Sequence, residues 1–267
     1  MRKIFLIFFA SLLLFAQNSF ANLQTITTFS DLQGEAFGSK THKQTLNGFL
    51  EYPTSKNVAI GGSTQLSHVT SNYNGGTSFY ALNSIEFFHR YKFFSSKYLG
   101  IILHNSYKFG GLYNENENLG LMPKQDDYEL RFLFAHNMPD RLVNAVVQNE
   151  TPYFIRAEIA YRRRFSNPFD EYRFTLWAEK KINEEFSFLL QDNIVWNVNA
   201  KATSSNNSRS NLANFQFSKN ANNMATFSLL YHCNKSTALQ FGYVKRLSGN
   251  APFYDYDGPT FALWKSF

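Results

Sequence analysis

Eight charged residues follow one spacing rule. Glu129 and Arg131, Arg156 and Glu158, Arg162 and Arg164, and Glu171 and Arg173 each stand two residues apart. In an extended chain successive side chains point to opposite faces, so a spacing of two puts both members of a pair on one face. Neighbouring strands carrying such pairs would line opposite charges into a ladder. Rings of charged side chains select ions and polar solutes; the predominance of Arg here would favour anionic or polar ones. The same ladder can instead only fill and stiffen a narrow interior. Glu51 and Gln191 are candidates to share the same interior.

A second arrangement points to nucleophilic chemistry. His104-Asn105-Ser106 has the His-x-Ser spacing of outer-membrane phospholipases and lipid A deacylases, with Asn118 downstream as partner. Asn118 would orient His104, and His104 would deprotonate Ser106 for attack on an ester. Phasing argues against it. Leu99, Ile101 and Leu103 should face lipid, which puts His104 and Ser106 on the opposite face, away from any membrane substrate. A protein without enzymatic activity is the leading expectation.

Other chemistry finds no support. No phosphate-binding Gly-rich loop, dinucleotide fingerprint or His-Glu-x-x-His motif occurs. His42, His68, His89, His136 and His232 have no ligand spacing, so neither a metal nor a cofactor is expected. The single Cys, Cys233, excludes a disulfide framework and a Cys-based zinc site. Gly61-Gly62 and Gly110-Gly111 read as strand bends or turns, and Gly75-Gly76 as part of an Asn-rich loop. Arg162-Arg163-Arg164 is the one basic cluster, too little for a nucleic-acid surface.

The elements that must position these residues follow from composition and pattern. Of 267 residues, 18% are aromatic and 17% charged, yet mean hydropathy is −0.33. Such a chain spreads its apolar residues thinly. Several runs of about 20 apolar residues, as a helical membrane protein needs, are missing. Aromatic content is too high for a disordered chain.

The first segment is an address. Met1-Arg2-Lys3 is a positive n-region, Ile4 to Ala16 an apolar h-region, and Ser19-Phe20-Ala21 a small-x-small cleavage site. Residues 1–21 read as a secretory signal peptide cleaved near Ala21. Its removal takes the formal charge from +6 to +4.

The remainder alternates with period two over short segments, separated by Asn, Ser, Gly, Pro and Asp clusters. Tyr153, Ile155, Ala157, Ile159 and Tyr161 oppose Arg156, Glu158, Ala160, Arg162 and Arg164. Tyr128, Leu130, Phe132 and Phe134 oppose Glu129 and Arg131. Tyr172, Phe174, Leu176 and Ala178 oppose Glu171, Arg173, Thr175, Trp177 and Glu179. Phe186, Phe188, Leu190, Ile194 and Trp196 oppose Ser187, Gln191, Asn193 and Asn197, with Asp192 out of phase. A soluble sandwich also alternates. The repetition of this design predicts a closed antiparallel transmembrane β-barrel, apolar outside and polar inside.

About twelve strands fit, within a range of 10–14, starting near residues 44, 58, 78, 98, 127, 153, 171, 186, 210, 222, 237 and 259. Residues 22–43 are then an N-terminal periplasmic arm or small plug, and residues 44–267 the barrel. This count places the connections 139–152 and 249–258 outside the cell and 111–126 and 200–209 on the periplasmic side. The chain ends in Phe267, with Phe261 and Leu263 at alternate positions before it. That resembles the signal read by the outer-membrane barrel insertion machinery; Lys265 departs from the pattern.

Scattered pieces carry a wider resemblance. Phe49-Leu50-Glu51-Tyr52 with Ala59-Ile60-Gly61-Gly62, Asp127 to Arg131, Glu158 to Arg164 with Asp170 to Arg173, Leu189-Leu190-Gln191, Leu239 to Gly242, Ser248 to Ala251 and Ala262-Leu263-Trp264 span residues 49–264. Together they resemble an uncharacterised proteobacterial outer-membrane β-barrel family, similar in pattern to outer-membrane proteins of aromatic-degradation pathways. The resemblance implies an outer-membrane location and small-solute transport, with no substrate. The expectation is a porin-like Gram-negative barrel, a narrow channel or solute transporter with a charged Arg/Glu lumen. A sealed structural or surface, adhesin-like barrel is the alternative. Its partners would be outer-membrane lipid and lipopolysaccharide, the insertion machinery through Phe267, and small polar or anionic solutes.

Overall fold

A computed structural model describes residues 23–36, 39–71, 77–96, 99–114, 126–136, 153–165, 170–198, 222–248 and 256–267. They form twelve strands: β1 (Gln24–Ala36), β2 (Ser39–Pro53), β3 (Val58–Ser71), β4 (Thr77–Ser95), β5 (Leu99–Asn114), β6 (Asp127–His136), β7 (Tyr153–Arg164), β8 (Asp170–Lys181), β9 (Phe186–Val198), β10 (Asn222–Asn234), β11 (Thr237–Ser248) and β12 (Tyr256–Ser266). Each pairs antiparallel with its sequence neighbours, and β1 pairs with β12 to close the barrel. Closure gives every strand two partners, the condition for crossing a bilayer without exposed backbone polar groups.

Period-two patterning sets which side chains go where. Along β6, the buried Asp127, Glu129, Leu133 and Ala135 alternate with the exposed Tyr128, Phe132 and Phe134. Exposed aliphatic and aromatic side chains girdle the outside: Phe87, Phe132, Ile159, Leu190, Phe227, Phe241 and Phe261. Tyr128, Tyr161 and Tyr172 cluster near one rim, and Tyr91, Phe93, Phe94 and Tyr231 near the other. Amphipathic rings at two levels around an apolar band suit the two interfaces of a membrane.

Three turns at the rim that holds both termini are short and side-chain capped. Ser55 Oγ accepts from the amides of Asn57 (3.3 Å) and Val58 (3.1 Å) between β2 and β3. Asn183 Oδ1 accepts from Glu185 (2.9 Å) and Phe186 (2.8 Å) between β8 and β9, and Asn234 Oδ1 from Ser236 (2.9 Å) between β10 and β11. Asx and Ser turns of this kind reverse the chain locally.

The described part of the expected arm or plug, residues 23–36 and 39–43, is neither. From Gln24 they form β1 and the start of β2, so the barrel begins at Gln24 and not at residue 44. Their alternation is masked because β1 is rich in Thr, Ser and Gln and has only three apolar side chains to mark a face before Gly34. The strand expected near residue 210 and the signal peptide lie outside the described residues. Moving the first strand forward also reverses the parity of most connections. Strand ends at residues 114 and 127, 198 and 222, and 248 and 256 share the rim opposite the termini, whereas those at 136 and 153 lie on the termini side. The sequence-based sides of 139–152, 111–126 and 200–209 are therefore corrected.

Two smaller expectations find their places. Gly61-Gly62 and Gly110-Gly111 lie inside β3 and β5 and not at turns, Gly110 beside a register shift between β4 and β5. Asp192 keeps the outward phase of Phe188 and Leu190, opposite Leu176 and Ala225, and is a polar position within the apolar band.

Candidate functional site

The inward side chains of β4 to β8 carry most of the charge. Glu129 is the hub; it is only 2% exposed. Arg162 approaches its Oε2 at 2.8 Å, Arg173 stands 3.4 Å from the same atom, and Arg131 pairs with Oε1. Arg131 also pairs with Glu158, whose Oε1 lies 2.8 Å from Arg156 Nε. Toward the rim opposite the termini, Asp127 lies 3.6 Å from Arg162, and Glu171 lies 3.0 Å from Arg164 and 3.8 Å from Arg173. Strand register explains the meeting: Glu129 stands opposite Arg162, and Arg162 opposite Glu171. All eight residues singled out by their spacing thus join one network, which also takes in Asp127.

A second group adjoins it. Arg90 on β4 donates to Glu51 Oε2 at 2.6 Å, and Glu51 is fully buried. These residues lie on strands separated by β3. They can meet because β3 presents only Ala59 and Gly61 between them. A Cβ on Gly61 would stand 2.3 Å from the Phe88 ring. Phe88 stacks on Phe49 (5.2 Å) and His104 (4.9 Å), and the Arg90 guanidinium lies 5.1 Å from the Phe88 centroid.

That arrangement also occupies His104. Its Nδ1 accepts from Arg90 Nε at 3.0 Å, and its Nε2 stands 3.9 Å from Glu86. Glu86 Oε2 accepts in turn from Ser63 at 3.1 Å. His104 and Ser106 are both buried, on the inward face, and His104 is engaged by Arg90. Asn118 lies outside the described residues.

The inward face of the remaining strands differs. Apart from Glu51 and Lys43 on β2, it carries mainly uncharged groups, several of them joined by neutral hydrogen bonds. Gln240 donates to Ser228 (2.8 Å), Ser30 and Thr260 share a bond of 2.9 Å, and at the border of the two walls Thr175 on β8 donates to Asn193 on β9 (3.0 Å). Gln191 reaches the same Asn193 oxygen at 3.3 Å, so it belongs to this neutral group and not to the Arg/Glu network. On the termini side, Trp264 packs with Ala238, Ala262, Ile26 and Trp177. Trp264 Nε1 donates to Gln240 Oε1 at 3.0 Å.

Sequence reasoning placed Trp177 on the inward face but did not join it to Trp264, or Arg90 to Glu51. Their contacts link strands that are not neighbours, and period-two patterning carries no information about the opposite wall. Cys233 is exposed on β10. Phe267 extends the closing pair: its amide donates to Leu23 O at 2.9 Å.

The chain has the fold of an outer-membrane β-barrel. It is similar to the COG4313 outer membrane channel from Pseudomonas putida F1, at 9% identity and TM-score 0.58, over 93% of this chain and 96% of that one. It is also similar to the KdgM porin, at 9% identity and TM-score 0.50, over 91% and 99% of the two chains. The translocator domain of the autotransporter NalP from Neisseria meningitidis matches at 9% identity and TM-score 0.51, over 94% and 89%. No protein-family model and no curated protein sequence matches the chain. Channels, porins and an autotransporter translocator share this barrel architecture, so what the chain does must be argued from its own interior.

Proposed function

We propose that the protein is a narrow outer-membrane channel or solute transporter that passes small polar or anionic solutes, selected by the charged wall of β4 to β8. The carrying observation is the network around Glu129. Its Arg131 and Arg173 side chains remain 24% and 32% exposed while their carboxylate partners are nearly buried. Guanidinium groups on that wall therefore offer the accessible charge, and the acids hold them in place. Fixed cations of this kind favour anions.

The reading includes an outer-membrane setting, with the aromatic girdles in contact with lipid and lipopolysaccharide. The termini would face the periplasm, as even strand numbers usually require, and Phe267 would be read by the insertion machinery. The scattered resemblance to outer-membrane proteins of aromatic-degradation pathways supports an uptake role. Planar-bilayer recordings of the refolded protein test the proposal: stepwise conductance with a reversal potential on the anion side in a KCl gradient is expected, and silence at all voltages would overturn it.

A sealed surface barrel is the second reading, favoured by the density of ion pairs across the interior. It predicts no conductance, and binding to host cells or extracellular ligands that is lost when residues 199–221 are shortened. Hydrolysis by Ser106 is a poorer fit, because His104 is occupied by Arg90. Any phospholipid hydrolysis by the purified protein should persist in Ser106→Ala.

A further inference from the structure

Trp177 and Trp264 touch, with ring centroids 6.4 Å apart and planes at 88°. They come from β8 and β12, with β9, β10 and β11 between them along the wall. Neighbouring strands place side chains within about 5 Å of each other; a contact between strands four apart must instead reach through the interior. Edge-to-face geometry is the favoured arrangement for an aromatic pair.

Both rings are fixed from outside the pair. The Arg156 guanidinium lies 4.3 Å from the Trp177 centroid, and Arg156 is itself ion-paired with Glu158. The Trp264 Nε1–H is held by Gln240, whose amide is held by Ser228. Behind the rings stand Ala238, Ala262 and Ile26. Here apolar side chains from strands four apart meet through the interior and join the neutral wall to the end of the charged one.

We propose that Arg156, Trp177 and Trp264 form a crossbar that limits conduction through the barrel. It rests on the channel reading and deepens it. The Arg/Glu network toward the rim opposite the termini sets which charge enters, and the crossbar sets how much passes. An apolar constriction restricts flow by shedding water as well as by occupying space, so removing one ring acts twice. Arg156 gives the crossbar a positive edge at its junction with the charged wall.

Single-channel recording in KCl tests this with wild type, Trp264→Ala, Trp177→Ala, Trp264→Phe and an outward control, Phe241→Leu. Heat-modifiable migration on a denaturing gel verifies that each is folded. Either Ala variant should raise unitary conductance at least about twofold. Trp264→Phe keeps a ring and should stay near wild type, as should Phe241→Leu. Conductance in both Ala variants equal to wild type would overturn the crossbar and leave the channel reading standing. Silence of wild type with conduction by the Ala variants would support the crossbar as a resting seal and overturn a constitutively open channel. Silence of all five would overturn both. Should Trp264→Ala not fold, Trp177→Ala reads the same crossbar from its other end.

Discussion

The walls β4–β8 and β9–β3 share one outside and have two different insides. Outward, Phe132 and Ile159 on the first are matched by Phe227 and Phe261 on the second. Inward, the first carries Glu129 bound to three Arg, and the second carries groups such as Ser30 bound to Thr260. Lipid is the same solvent all round a barrel, so it imposes one composition on the outer face. The inner face is free to differ from strand to strand. The part of the chain that can be specific is thus the part the membrane does not see.

The division can be broken most severely at its hub. Glu129→Ala would leave Arg131, Arg162 and Arg173 without their shared acceptor in a buried setting. Removing one partner of a buried charge cluster costs about 3–5 kcal/mol, read as a lower urea midpoint for the refolded protein. If Thr260→Ala on the neutral wall cost as much, the contrast between the walls would fail. Gly61→Val attacks the gap through which Arg90 reaches Glu51. The new Cβ would meet the Phe88 ring and Leu50 O, each at 2.3 Å, and overpacking of this kind costs about 1–3 kcal/mol. Gln240→Ala removes two neutral hydrogen bonds and should cost about 1–2 kcal/mol by the same measurement, at the usual net value of about 1 kcal/mol each. Arg173→Gln sharpens the comparison in function more than in stability. Its side chain is 32% exposed, so its loss should cost less in folding than that of Glu129, and it should move the reversal potential toward cations. Asn193→Ala on the neutral wall should leave that potential unchanged.

How much of this the sequence carries depends on which neighbours are involved. Glu129, Arg162 and Glu171 are readable because strands that adjoin in sequence also adjoin in space, and alternation alone aligns them. Exposed Phe and Tyr mark the outer face for the same reason. β1 is hidden because its inward and outward residues are both largely Thr, Ser and Gln, with too little contrast to show a period. That omission alone put several connections on the wrong side. Arg90 with Glu51, and Trp177 with Trp264, depend on which strands face each other across the interior. Strand number and stagger set that, and no local pattern encodes it. Gln191 faces the interior as its phase requires, but phase says nothing about its companions, which are Asn193 and not the Arg/Glu pairs.

The β1–β12 pairing has a consequence for how the molecule is made. The hydrogen bond between Ser30 and Thr260 joins side chains 230 residues apart, whereas each of the other strand pairs joins consecutive segments. Hairpins such as β10–β11, with a two-residue turn, can form as soon as both halves exist. Closure cannot, and every shorter assembly has two open edges at which another chain could add. Loop-closure entropy rises only logarithmically with length, so the long wait adds little to the thermodynamic cost. Its weight falls on kinetics: assembly is governed by the most non-local contact, and an unclosed sheet must be shielded until β12 arrives.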